Sequence, residues 1–295
     1  MSELKADLKR LYVDVIKGLP LPYRVRMSID HLIRQKSWPD LDNPNLYSEK
    51  MLWRLIFDRR EAIAFTCDKL KMKEFAASKV PSIRVPKNIW VGFEPDQIGG
   101  LLDLPSECLD KGWALKPNHS SGFCLVGKGV PDLTSAPLSD WWRTYGAIGT
   151  AGWGGWAYSR AQKAILLEEL VGSGTSDLTD YKFYVFEGNC PLLQVITGRR
   201  GIKRRYILDR NWVLQYSAED PDGSHLPARP KRFVEMLGVA EKLGEDFDFM
   251  RIDLYYEDDE IWFSELTPYP SMMRSSRDAS VNKMLGAHWR LPCLS

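Results

Sequence analysis

The chain has 295 residues, 44% hydrophobic and 27% charged, and its 40 Lys and Arg against 39 Asp and Glu leave a formal net charge of +1. That balance excludes a largely disordered chain and a general polyanion binder, and the length is ample for one large domain or two modest ones. There is no run of about 18 apolar residues to span a bilayer, and the opening MSELKADLKR lacks the apolar stretch of a signal peptide.

The first segment predicts an amphipathic helix docked on the body of the protein. Leu4, Leu8, Leu11, Tyr12, Val15, Ile16 and Leu19 repeat at helical spacing, and Gly18 and Pro20 close it. A second helical pattern, Val25 to Gln35, runs into the turn WPDLDNPN. Helical spacing then dominates from Ser48 to Ser78, with Met51, Leu52, Leu55, Ile56, Leu70, Met72 and Phe75 as core candidates. In DKLKMKEFAASK, Lys69 and Lys73 suit the solvated face of such a helix.

After Pro81 the pattern changes. Pro and Gly punctuate short β-prone pieces such as NIWVGF, and from Trp113 apolar runs recur between turn signals: WALKP, FCLVG, KAILLEEL, YKFYVFEG, LLQVITG, RYILD, WVLQY, RIDLYY and IWFSEL. Several alternate at period two, as strands do. One more helix, Pro230 to Leu243, separates WVLQY from RIDLYY. The fold class is therefore α+β, helical first and strand-rich later. Five cysteines (Cys67, Cys108, Cys124, Cys190, Cys293) show no CxxC spacing, which suits free thiols in a reducing cytoplasm rather than a disulfide framework or zinc site.

The near-zero charge conceals segregation. Arg199 to Arg210 hold six basic groups and one acid, while Glu245 to Glu265 hold nine acids and one base. In RIDLYYEDDEIWFSELTPYP two strand patterns flank the turn EDDE, and counting through the hairpin sets Asp253 roughly opposite Glu265. Two hard oxygen ligands with positions left for water and phosphate suit a magnesium–nucleotide site. Arg251, two residues before Asp253, shares its strand face and could clamp a phosphate bidentately. The alternative is a surface hairpin with solvated acids, which fits Asp258 and Asp259 but not Glu265 inside an apolar strand.

WALKPNHSSGF places Lys116 at a strand end before a small, polar loop, a combination that can cradle phosphate through backbone N–H groups. It is not the GxxxxGK[ST] pattern, so a P-loop is excluded there. In LLEELVGSGTSD, Glu168 and Glu169 close an apolar strand before a flexible segment; the backbone beyond can meet an adenine edge, and one glutamate its amino group or the ribose. The alternatives are a plain hairpin turn and a solvated strand end.

The order of these parts, lysine helix, Lys-Pro loop, Glu-Glu strand end, then R-x-D and E-x-T, resembles the ATP-grasp superfamily. Finer likeness is to its TupA-like family, named for teichuronopeptide biosynthesis, and runs from about Asn45 to Leu291 through NLYSEKMLWRLIFDRR, CDKLKMKEFAASK, DYKFYVFEG, QVITGRRGIKRRYILDRNW and EKLGEDFDFMRIDLYY. The resemblance implies two α+β subdomains clasping ATP, preceded by a helical region: residues 1–110 helical with a short preceding portion, 111–175 the small subdomain, 176–295 the large one. It implies that Lys73 and Lys116 meet nucleotide phosphates, that Ser120, Ser121 and Gly122 form a lid over them, and that Glu168 and Glu169 lie on the adenine and ribose strand. Asp253 and Glu265 match the Mg²⁺ ligands and Arg251 the phosphate arginine. Thr267 stands where the family pattern has a metal-binding asparagine, which weakens a second metal position.

Arg199 and Arg205 fall on family arginines, and Lys182 is a further phosphate or carboxylate contact. Tyr269, Arg274 and Arg277 are substrate-contact candidates, and Trp141, Trp142, Trp153 and Trp156 could stack on sugar rings or anchor core and loops. The implied activity is an ATP- and Mg²⁺-dependent carboxylate–amine ligation, acting in the cytoplasm on a small or sugar-linked carboxylate and an amine, with no nucleic-acid partner. A kinase on the same frame, or a non-catalytic nucleotide-binding protein of a polysaccharide pathway, is the alternative.

Overall fold

The computed structural model describes residue 15 and residues 20–133, 138–143, 156–172, 177–198, 201–270 and 278–294. Three longer helices precede the first strand: α1 (Tyr23–Gln35), α2 (Tyr47–Phe57) and α3 (Lys69–Lys79). Glu49 closes the start of α2 by accepting from the backbone N–H groups of Asn45 and Leu46, each at 3.0 Å. Asp68 caps α3, accepting from the N–H groups of Leu70 and Lys71, which would otherwise be orphaned at a helix start. The predicted helix over residues 4–19 falls outside the described residues apart from Val15.

Strands β1 (Asn88–Gly92), β2 (Trp113–Pro117), β3 (Leu125–Gly127) and β4 (Ile165–Glu169) form an antiparallel sheet in the order β1-β4-β2-β3. Helix α4 (Leu138–Arg143) lies between β3 and β4 in the chain and covers one face, where Trp141 packs with Leu115, Ile165 and Leu167. This sheet takes its edge strand, β1, from before residue 111. Asn88 meets Glu168 across a long stretch of chain, a pairing that no local pattern encodes.

The second sheet joins β5 (Asp180–Phe186), β6 (Asn189–Thr197), β7 (Arg204–Asp209), β8 (Leu214–Tyr216), β9 (Met250–Glu257) and β10 (Glu260–Thr267) in the order β10-β9-β5-β6-β7-β8. Strict alternation gives its faces different partners. Phe183, Leu193, Tyr206 and Ile252 point to one face, under helix α5 (Phe233–Gly244) and α3. Tyr184, Phe186, Leu192 and Ile207 point to the other, under α1, α2 and the final helix α6 (Ala279–His288). Gly286 lets α6 lie against the entry to α2, because a Cβ there would stand 2.3 Å from the Asn45 carbonyl oxygen. The two helical ends of the chain therefore share one core under the large sheet.

Arg54 of α2 is fully buried in that core. Its guanidinium donates to Asp248 and to the Phe249 carbonyl, and stacks 4.6 Å from the Trp289 ring centroid. A buried charge costs heavily unless paired and hydrogen-bonded, and here it is both. No helix among the described residues is long and apolar enough to cross a membrane. All five cysteines are free thiols, with Cys67 and Cys190 buried.

Candidate functional site

The large sheet carries a polar row on the face it shares with Tyr184. Asp253 pairs in register with Glu265 on one side and Lys182 on the other, and Arg251 pairs with Thr267 and Tyr184 in the next row. Counting from the turn would set Ser264 opposite Asp253; a bulge between Phe263 and Glu265 shifts the register by one residue and brings Glu265 there instead. Arg251 donates to both Asp253 oxygens at 2.6 and 2.7 Å and to the Thr267 hydroxyl at 3.0 Å. Lys182 donates to Asp253 as well and lies 3.9 Å from Asp180. Burial opposes the charge on Asp253, yet Arg251 and Lys182 outweigh it and hold its carboxyl below the usual range. Glu265 is only half-buried.

The small sheet contributes cations. Lys116 of β2, Glu168 of β4 and Asn88 of β1 share one face, because Ala114 is the register partner of Glu168 and Asn88 also pairs with it. Lys116 and Lys73 each form an ion pair with Glu168, one on each carboxylate oxygen. Burial works against the Glu168 charge, but the two lysines keep its carboxyl below the usual range. Val126 stands on the same face and is 56% exposed, an open apolar surface beside the charges. Glu169 turns away and accepts from the Lys87 N–H at 2.8 Å.

The loop after Lys116 is pinned at its root and open at its tip. Asn118 accepts from the Leu70 N–H at 2.9 Å and donates to the Gln162 carbonyl at 2.7 Å. Asp68, besides capping α3, accepts from the Gln162 N–H at 2.8 Å. His119 is buried, its ring contacting the Trp141 carbonyl at 3.2 Å and the Ala164 N–H at 3.4 Å, and burial pushes it down to about 4. Ser120 is buried, and its hydroxyl has no hydrogen-bond partner. Ser121 and Gly122 are exposed, with Gly122 at φ +83 and nothing near its Cβ position. Of the expected lid, only Ser121 and Gly122 are exposed.

Lys69, like Lys73, is placed in solvent by its helical spacing and is buried in the structure. Its ammonium donates to the carbonyls of Ser120 and Asn118. Burial lowers it, Glu265 pulls it back up, and Lys116 pushes it down again. Lys69 is therefore within electrostatic reach of both Glu265 and Lys116, and Tyr255 of β9 likewise lies within reach of Lys116.

The other expected contacts scatter. Arg205 pairs with Glu219 on β7. Tyr269 is half-buried, 6.3 Å from the Tyr158 ring, with its hydroxyl unpartnered. Trp141 is 2% exposed and belongs to the core, so it offers no stacking surface. Trp142 packs partly buried against that core, and Trp156 against the large sheet's core. Arg199, Arg274, Arg277 and Trp153 lie outside the described residues.

Asp253, Glu265 and Thr267 present two carboxylates and a hydroxyl, hard oxygens suited to magnesium. Among the described residues no group of three or more His, Cys, Asp or Glu is placed to hold a metal ion.

A family model described as TupA-like ATPgrasp matches residues 49–290. A search of curated proteins returns no match. Among solved structures the chain is similar to a D-alanine–D-alanine ligase from Bacillus anthracis complexed with ATP, at 17% identity and TM-score 0.40 over 70% of this chain and 55% of that one. It is similar to a D-alanine–D-alanine ligase from Helicobacter pylori at 14% identity and TM-score 0.49, over 83% of this chain and 67% of that one. It is also similar to a macrocyclase from Microcystis aeruginosa MRC bound with its precursor peptide, at 12% identity and TM-score 0.41, over 89% and 66%. The chain spans little more than half the length of the first of these.

Proposed function

The chain belongs to the TupA-like ATP-grasp family, and we propose on that premise that it is an ATP-dependent ligase joining a carboxylate to an amine. The observation that carries the reading is the register pairing of Asp253 with Glu265 on one sheet and the Lys73–Glu168–Lys116 ion-pair cluster on the other. Buried Lys69 is bound to the loop after Lys116 and lies within electrostatic reach of Glu265. That is charge of both signs, with no nucleophile–base pair among these residues.

ATP supplies what a carboxylate lacks. A carboxylate is a poor electrophile at neutral pH, so its oxygen first attacks the γ-phosphorus; the bond from that phosphorus to the bridging oxygen breaks and ADP leaves. The resulting acyl phosphate is attacked at carbon by the amine, which loses a proton as phosphate departs. Such transfer depends on positioning and charge neutralisation more than on covalent chemistry. Lys69, Lys73 and Lys116 supply positive charge for the phosphates, and Arg251 with Lys182 holds Asp253 ionised. Asp253 and Glu265, with Thr267 beside them, would hold Mg²⁺, which when bound neutralises the phosphate oxygens. Val126 and Ala114 offer an apolar plate for the purine, with the backbone after Glu169 along its edge. Arg205, Tyr269 and the residues Arg199, Arg274 and Arg277 are the candidates for the carboxylate and amine substrates, a surface-polysaccharide precursor among the classes to try.

The test is a panel of carboxylates and amines, sugar-linked and peptidic members included, scored by ADP release. Amine-dependent ADP and free phosphate support the ligase. A stable phosphorylated product formed without amine would make the protein a kinase instead.

A further inference from the structure

Thr267 ends β10 two residues beyond Glu265 and on the same sheet face, with Arg251 as its register partner. Its hydroxyl oxygen accepts from the Arg251 Nη2 at 3.0 Å, while the same guanidinium donates to the two Asp253 oxygens at 2.6 and 2.7 Å. On the opposite flank Tyr184, paired with Arg251 through β5, is fully buried and hydrogen-bonds the guanidinium. Arg251 and Thr267 are only 8% and 6% exposed. The guanidinium is therefore fixed on three sides, beside the acids and on their face.

This arrangement limits how many cations the acids can hold. A carboxylate has about four lone-pair positions. Arg251 occupies two of those on Asp253 and Lys182 a third, which leaves one for a metal ion. Glu265, half-buried, supplies the facing oxygens. Centres that clamp a phosphoryl group with two ions set them ~3.5–4 Å apart and need further oxygens for the second. The next hard oxygen along β10 is the Thr267 hydroxyl. A magnesium ion ~2.1 Å from it would crowd the guanidinium already bonded to that oxygen, and like charges repel strongly where water is excluded.

We infer that this chain holds one divalent cation, between Asp253 and Glu265, and that Thr267 is a positioning residue for Arg251 and not a metal ligand. The guanidinium then supplies, as a fixed part of the fold, the positive charge that a second ion would bring to the phosphates. This rests on the nucleotide reading above and narrows it to a one-metal site.

The experiment counts bound Mn²⁺, a paramagnetic stand-in for Mg²⁺, by the electron paramagnetic resonance of the free ion. It uses the full-length protein saturated with a non-hydrolysable, imido-bridged ATP analogue. The unaltered protein should bind one Mn²⁺ per chain with no spin coupling; two coupled ions per chain would overturn the inference without any variant being needed. Thr267→Val keeps the shape and removes the hydroxyl, with melting curves as a folding control. It should leave the Mn²⁺ count and affinity unchanged at saturating analogue. Its affinity for the analogue should fall about tenfold, as for a lost hydrogen bond to a charged group. Thr267→Ser, which restores the hydroxyl, should bind the analogue as the unaltered protein does, and it serves if Thr267→Val fails to fold.

A Mn²⁺ affinity that falls in Thr267→Val at saturating analogue would make Thr267 a ligand. An analogue affinity unchanged in Thr267→Val, or lost equally in Thr267→Ser, would remove its role toward Arg251. Each of these overturns the inference while leaving the nucleotide site standing. Failure of the unaltered protein to bind the analogue with Mn²⁺ would instead overturn the nucleotide reading, and the inference with it.

Discussion

Glu265 is the cleanest residue on which to test the acidic hairpin, because it is half-buried and opposite Asp253 without sharing its ion pairs. Glu265→Gln should lower turnover by ~10²–10³ with the melting temperature little changed, as expected when one preorganised charge partner is removed. Asp253→Asn is expected to do more than stop turnover. It leaves Arg251 and Lys182 facing a neutral group, and breaking a buried pair in this way costs ~3–5 kcal/mol, readable by urea denaturation. A second residue-scale prediction concerns pH. His119 is pushed by burial down to about 4, against ~6.5 for an unfolded histidine. Between those values the unfolded chain binds the extra proton, so stability should be full above about pH 6.5 and decline as pH falls toward 4. His31, also lowered by burial, acts in the same direction. Melting curves across this range should flatten in His119→Gln, and an unchanged slope would contradict the buried neutral ring. That Asp253 and Glu265 lie near one another was readable by counting from the turn; the one-residue bulge that puts Glu265 rather than Ser264 opposite Asp253 was not. The burial of Lys69 and Lys73 was not: helical spacing says which residues share a face, but not that a second sheet and a loop will cover it.

At the scale of elements, the start of α3 and the root of the Lys116 loop behave as one joint. Asp68 caps the helix and holds Gln162, while Asn118 ties Leu70 to the same segment. Asp68→Ala removes a cap worth ~1 kcal/mol and also frees Gln162 and the loop, so the loss in denaturation experiments should exceed that of a cap alone. Mg-ATP affinity should fall with it; affinity unchanged in a folded variant would separate the cap from the site. The strands were legible because apolar alternation survives in short pieces such as YKFYVFEG and RIDLYY. Helix α6 was missed, and ASVNKMLGAH explains why: only Val281, Leu285 and the close-packed Gly286 among its apolar and small residues are buried. The edge position of β1 depends on Glu168, far along the chain, so composition near residue 88 could not reveal it.

Across the whole molecule, the net charge of +1 is a cancellation between an acidic stretch from Glu245 to Glu265 and a basic one from Arg199 to Arg210. Both ends of the described chain brace the large sheet from the side opposite α5, with Arg54 and Trp289 at the centre. Trp289→Ala should therefore cost ~3–5 kcal/mol by denaturation, and proteolysis should loosen α2 and α6 together, because each is the other's wall. The central claim concerns bond-making and is best tested there. With a carboxylate identified by the panel and labelled with ¹⁸O on both oxygens, turnover with ATP and amine should place one labelled oxygen in the released phosphate, because the acyl phosphate passes that oxygen from carbon to phosphorus. Unlabelled phosphate alongside a formed amide would contradict activation of the carboxylate by ATP.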